Sequence, residues 1–155
     1  MLTMNLEIEG FSFRDIKKDD LGHVLKLYNE NDESMHASGI DRRLSPEDME
    51  EKYLEVLISS HEFFTGIFSK DSGELIGVIK GRIAYDKNEE AWISSLLIKQ
   101  DFRNKGIGSK SVNALVTYMN KTYDVKRVFT GVISKNSKGI NFWIRAGFQQ
   151  IRIIK

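Results

Sequence analysis

Arg103-Asn104-Lys105-Gly106-Ile107-Gly108 is the stretch whose residue types and spacing point most directly to chemistry. It follows the apolar run Trp92 to Ile98 and opens a segment in which Val112, Leu115, Val116 and Met119 recur at helical spacing. A strand therefore runs into a glycine-rich turn, and the turn becomes the first turn of a helix. Its N–H groups have no intrahelical acceptor, and the aligned peptide dipoles add partial positive charge. Glycine at 106 and 108 permits a sharp bend and the close approach of a bulky anion. Arg103, Lys105 and Lys110 add mobile positive charge around the same point. A phosphate or pyrophosphate suits such a site.

Two better-known phosphate loops fit these residues less well. The dinucleotide fingerprint needs a third glycine where Ser111 stands, and it usually lies on an early strand. The nucleotide-triphosphate loop needs Gly-Lys-Ser/Thr, whereas Gly108-Ser109-Lys110-Ser111 has one residue too many between glycine and lysine.

A second motif follows some thirty residues later. The pattern Leu96-x-Ile98-x-x-x-Phe102-Arg103-x-x-Gly106-x-Gly108, then Asn136-x-x-Gly139-x-x-Phe142-Trp143-x-Arg145-x-Gly147-Phe148, resembles the GNAT family of N-acetyltransferases. The resemblance implies acetyl-coenzyme A as co-substrate and no metal. The amides of Asn104, Lys105, Gly106, Ile107, Gly108 and Ser109, with Arg103 and Lys110, would take the pyrophosphate. Backbone groups of Leu96, Leu97 and Ile98 would hold the pantetheine arm as another strand, and an N–H of Leu97 or Ile98 would polarise the thioester carbonyl. Asn136 would contact the coenzyme arm or cap the last helix. Trp143 stands where many members place a tyrosine as general acid, and indole cannot deliver a proton at neutral pH.

The base is open to several groups: Glu90, Glu89, Glu33, His36 or a water chain. His36 reads either as a solvated loop residue or as a catalytic group that titrates in the useful range. The implied function is transfer of an acetyl group from acetyl-coenzyme A to a primary amine of a small molecule or peptide, by direct attack. The alternative is a catalytically impaired acetyl-coenzyme-A-binding sensor or interaction module.

Composition is consistent with that reading. The 155 residues form one domain, 1–155, with 41% hydrophobic and 29% charged residues. A net charge of +1 gives no electrostatic reason to expect nucleic acid or a membrane as partner. The absence of cysteine excludes a disulfide framework and a thiol nucleophile. The start, Met1 to Glu7, lacks the basic and apolar regions of a leader, so a cytoplasmic location is expected.

The elements that must position the motifs follow from periodicity. Residues 11–16 alternate as a strand, and Asp19 or Asp20 caps a helix bearing Leu21, Val24, Leu25 and Tyr28. Residues 30–44 read as a polar loop containing Asp32, Glu33, His36, Asp41 and Arg42-Arg43. Ser45-Pro46 starts a second helix with Met49, Tyr53, Val56 and Leu57 buried. Strands at 63–69, 74–85 and 90–98, with turns at 70–73 and 86–88, form an antiparallel meander. A helix over 107–122 and a strand over 127–133 make a parallel crossover. Asn136 or Ser137 caps the last helix, with Ile140, Trp143 and Ile144 inward, and a strand over 149–154 follows Gly147-Phe148. The expected fold is α/β (α+β), an acyl-CoA N-acyltransferase-like mixed sheet. It has about six strands, mostly antiparallel with a central parallel pair, flanked by about four helices. The sheet edge at the last strand would invite pairing, so a homodimer is expected.

Overall fold

Short strands of three to ten residues build the sheet. The computed structural model describes residues 1–30, 32–84 and 89–150, with the side chains of Glu33 and His36 also left undescribed. Leu6–Ile8 (β1) and Phe11–Asp15 (β2) form a hairpin turned at Gly10, which takes a left-handed φ of 84°. The strand at 11–15 is the expected one. β1 is additional, and at three residues it is too short for its alternation to register as a pattern.

The meander follows as Glu62–Ser69 (β3), Leu75–Ala84 (β4) and Glu90–Ile98 (β5). Arg127–Thr130 (β6) completes a six-stranded sheet in the order β1-β2-β3-β4-β5-β6. All neighbours are antiparallel except β5 and β6, which run parallel across the helical crossover.

The helices are Leu21–Tyr28 (α1), Asp32–Ser38 (α2), Pro46–Ile58 (α3), Ile107–Tyr123 (α4) and Ser137–Arg145 (α5). Ser45 accepts the Asp48 N–H at 3.1 Å, and the Asp48 carboxylate takes the Ser45 N–H at 2.9 Å. This reciprocal pair satisfies two donors at the start of α3, where Pro46 needs none.

Two apolar layers flank the sheet. One joins Phe63, Ile79, Ala91 and Ile93 to Val112, Leu115 and Met119 of α4. The other joins Phe64, Phe68, Val78 and Leu97 to Val24 and Tyr28 of α1 and Met49, Tyr53 and Val56 of α3. Phe63, Phe64 and Phe68 are thus core residues, as their placement on the meander implies.

Several local expectations change. Residues 32–38 are helical rather than a loop, because Ser34 finds a buried position and α2 packs on β5. Asp20 stands at the N-cap of α1 but makes no side-chain capping bond; its carboxylate takes the Lys17 N–H at 2.7 Å and pairs with Arg14 at 2.8 Å. Leu57 is 45% and Ile144 is 51% exposed. Met49, Tyr53 and Val56 already fill the buried stripe of α3, and one residue further rotates about 100° off it. In α5, Phe142 turns inward in place of Ile144 because Gly108 leaves room for its ring. β6 ends at Thr130, short of Ile133. Gln149 and Gln150 are irregular, while 151–154 and the turn at 86–88 lie outside the described residues. Among the described residues, no helix is long and apolar enough to cross a membrane, and no three potential metal ligands cluster.

Candidate active site

The site begins where two parallel strands stop pairing. β5 and β6 are in register from Glu90 opposite Arg127 to Ile93 opposite Thr130. The Thr130 hydroxyl then donates to the Ile93 carbonyl at 2.9 Å, and β6 ends. β5 continues for five more residues, Ser94 to Ile98. Among the described residues these have no strand on that side. The open edge is roughly 16 Å long at about 3.3 Å per residue.

The direction of each peptide group along this edge follows from one hydrogen bond. The Lys99 N–H donates to the Ile76 carbonyl of β4 at 2.7 Å. Because successive peptide groups alternate sides, Leu97 also turns its N–H and C=O toward β4, opposite Val78. Leu96 and Ile98 turn theirs toward the open side. Arg103 Nε donates to the Ile98 carbonyl at 2.8 Å from that side. Of the three residues implied by the resemblance, Leu96 and Ile98 therefore face the gap and Leu97 does not.

A bulge resets the faces of β5 just before this edge. The register with β4 shifts between Lys80 and Gly81, so Ser94 is the extra residue. Upstream of it, Ala91 and Ile93 belong to the layer under α4; downstream, Leu97 belongs to the layer under α1 and α3. Strict alternation would place all three on one face, and the inserted residue reverses it. Ser94 Oγ donates to the Lys80 carbonyl at 3.0 Å. The open edge consequently carries Leu96 and Ile98 against the α4 side.

The edge leads into the glycine-rich turn. A short 3-10 turn, Gln100–Phe102, is followed by Asn104 and Gly106, both left-handed with φ of 61° and 79°. Gly106 is the N-cap of α4, and no atom lies within 4 Å of a Cβ built there. The first helical bond is from the Lys110 N–H to the Gly106 carbonyl at 3.1 Å. The N–H groups of Ile107, Gly108 and Ser109 thus precede any intrahelical acceptor. Lys105 and Lys110 are exposed beside them, with the Lys105 ammonium 5.8 Å from the Phe102 ring centroid.

Gly108 is glycine for a different reason from Gly106. A Cβ at 108 would lie 2.8 Å from Cε1 of Phe142, so its place in the motif is set by the approach of α5 to α4. Asn136 caps α5, its Oδ1 accepting the Gly139 N–H at 3.0 Å. The indole of Trp143 packs edge-on against Phe142 at 5.2 Å and Phe148 at 4.9 Å. These aromatics fasten α5 beside the first turn of α4.

The remaining candidates are dispersed. Glu90 starts β5, paired with Arg127 at 2.9 Å and about 10 Å of strand before the point where pairing ends. Glu89 pairs with Lys126 at 3.0 Å at the same remote end. His36 and Glu33 lie in α2, their side chains outside what the structure describes. Arg103 is 20% exposed and reaches the Ser34 hydroxyl at 3.0 Å and Glu30 at 3.5 Å. Sequence reasoning missed Ser34, Glu30, Thr130 and the Ser94 bulge. Only Gly81, paired with Ile93 next to the bulge, signalled any of these, as a glycine inside a strand pattern.

Tyr28, on the opposite face of the sheet, stands beside Ser95. Burial pushes its phenol up to about 12, and the nearby Ser95 hydroxyl offsets part of that rise. The two hydroxyls do not meet the geometry of a hydrogen bond, and Ser95 Oγ is buried without a partner. Tyr28 therefore stays protonated at neutral pH. In the unfolded chain the phenol ionises near 10, so between pH 10 and 12 the unfolded state loses its proton first and stability falls as pH rises. Tyr28→Phe is expected to flatten that part of the Tm-against-pH curve. An alkaline fall as steep as in the parent would contradict the burial argument.

Comparison with known proteins places these features in context. Residues 13–155 match the family described as acetyltransferase (GNAT) domain. The spermine/spermidine N(1)-acetyltransferase of Bacillus subtilis is 30% identical over 64 residues, a match covering 41% of this chain and 42% of that protein. The aminoglycoside N(6')-acetyltransferase type 1 of Klebsiella pneumoniae is 24% identical, over 92% of this chain and 75% of its own length. Among solved structures, the spermidine N-acetyltransferase of Vibrio cholerae in complex with CoA and spermine superposes with a TM-score of 0.81 at 19% identity. That likeness covers 94% of this chain and 84% of the other.

Proposed function

The chain belongs to the GNAT acetyltransferase family, and from that premise we propose that it transfers an acetyl group from acetyl-coenzyme A to a primary amine. The observation that carries the proposal is the edge of β5 from Ser94 to Ile98, which no strand covers among the described residues and which leads directly into the amide-rich turn at 104–109. An extended arm with amide groups can lie along that edge as a strand would, and its pyrophosphate can then reach the start of α4.

In this reading the amine nitrogen attacks the thioester carbonyl carbon, a C–N bond forms and the C–S bond breaks. The electron pair of that bond leaves on sulfur, and the amine proton passes to water and on to the thiolate. The chain's work is alignment and stabilisation of the oxyanion. Leu96 and Ile98 offer the N–H groups on the open side, and Ile107, Gly108 and Ser109 offer those at the helix start. Trp143 holds α5 in place through its ring contacts. Neither Glu90 nor Trp143 is needed to move a proton.

The relatives supply the acceptor classes to try first: polyamines from the Bacillus protein and aminoglycosides from the Klebsiella protein. Incubation with acetyl-coenzyme A and a panel containing both, together with a short peptide bearing a free N-terminus, should release free thiol in an amine-dependent manner. Tight coenzyme binding with no thiol release across the panel would favour the binding-module reading instead.

A further inference from the structure

Arg103 sits in the motif that precedes the helix, yet its guanidinium is directed across the chain to the segment after α1. Nε donates to the Ile98 carbonyl at 2.8 Å, and Nη2 donates to Ser34 Oγ at 3.0 Å and lies 3.5 Å from Glu30 Oε2. The Glu30 carboxylate in turn accepts the Gln100 N–H, at 3.1 Å and 3.3 Å from its two oxygens. Ser34 is 1% exposed in α2, and α2 packs against β5. One cation and one carboxylate thus fasten three things together: the end of the open edge, the turn before the amide cluster, and α2.

Such partly buried, charge-assisted bonds are stronger than neutral ones and have a fixed fork geometry. We propose that Arg103 and Glu30 form a positioning strap that sets α2 against the open edge of β5, rather than Arg103 serving as a ligand of the pyrophosphate. The inference rests on the acetyl-transfer reading above for its kinetic consequence, but the strap itself is a property of the fold. A guanidinium turned toward α2 holds the Ile98 peptide in the orientation that faces the gap. Loss of the strap frees that peptide and α2 together. Lysine in place of Arg103 keeps the charge but has one nitrogen where the strap uses two, so it does not restore the effect.

Two thioesters separate the strap from a phosphate contact: acetyl-coenzyme A and S-acetyl-pantetheine, which lacks the nucleotide and pyrophosphate. Arg103→Ala, Arg103→Lys and Glu30→Gln are each expected to lower kcat/KM by about tenfold or more with both thioesters, since a small misplacement at a reacting centre is costly. A loss in Arg103→Ala confined to acetyl-coenzyme A, with Glu30→Gln unchanged, would show a pyrophosphate ligand and overturn the proposal. Hydrogen exchange supplies a readout independent of turnover. Backbone amides of 34–38 should exchange faster in Arg103→Ala and Glu30→Gln than in the parent, and unchanged exchange in both overturns the strap. A parent protein that turns over neither thioester defeats the acetyl-transfer reading alone, and the exchange comparison still decides the strap.

Discussion

Gly81→Val is expected to cost about 3 kcal/mol of stability or more, lowering Tm by roughly 6–12 °C for a chain of this size, and to abolish acetyl transfer. A Cβ at position 81 would lie 2.2 Å from the Trp92 carbonyl oxygen and 2.5 Å from Cζ of Phe63. The first of these atoms is backbone and cannot swing away. Phe63 is fully buried and has nowhere to retreat. Relief requires β4 and β5 to separate at the bulge, and the bulge reverses the faces of β5 between Ile93 and Leu97. A repaired, regular register would turn the peptide groups of Leu96 and Ile98 toward β4. Thermal unfolding and thiol release on the same preparation check the expectation. A variant with parental Tm and turnover would show that the bulge does not set the geometry of the edge.

Gly108→Leu is expected to weaken acetyl-coenzyme A binding by about tenfold or more and to lower Tm as well. The side chain would meet the Phe142 ring, 2.8 Å from Cε1 and 3.1 Å from Cζ. That ring is held by Trp143, which is held by Phe148, so the clash is relieved by moving α5 away from the first turn of α4. Overpacking of this kind costs about 1–3 kcal/mol, and misplaced amides at Ile107 to Ser109 lose their alignment on an anion. Calorimetric titration with acetyl-coenzyme A measures the affinity directly. Coupled losses of affinity and Tm are the expected signature, because the glycine serves a helix contact. A fall in affinity at unchanged Tm would instead mean that position 108 touches the ligand and not the Phe142 ring.

Much of the fold was legible along the chain because its signals are local. The apolar runs and turns that frame β3, β4 and β5, the Ser45-Pro46 start of α3, the Gly106 start of α4 and the Asn136 cap of α5 all depend on residues within one turn or one hairpin. The glycine-rich turn at 103–108 belongs to the same class. A left-handed residue followed by free amides is written in six consecutive positions.

What only the tertiary structure decided involves partners far apart in sequence. α2 reads as a polar loop because its stabilising contacts, Ser34 to Arg103 and its packing on β5, come from more than fifty residues away. Gly108 looks like a residue for anion approach until Phe142 is found against it. Which of Leu96, Leu97 and Ile98 faces the gap depends on one extra residue at Ser94 and on the pairing of Lys99 with Ile76. The parting of β5 and β6 after Ile93 is a property of two strands together, and neither strand announces it. The sequence determined most of the elements and the glycine-rich turn that joins β5 to α4. Only packing across the chain decided which peptide groups face the gap, because direction in a strand is set by its neighbours.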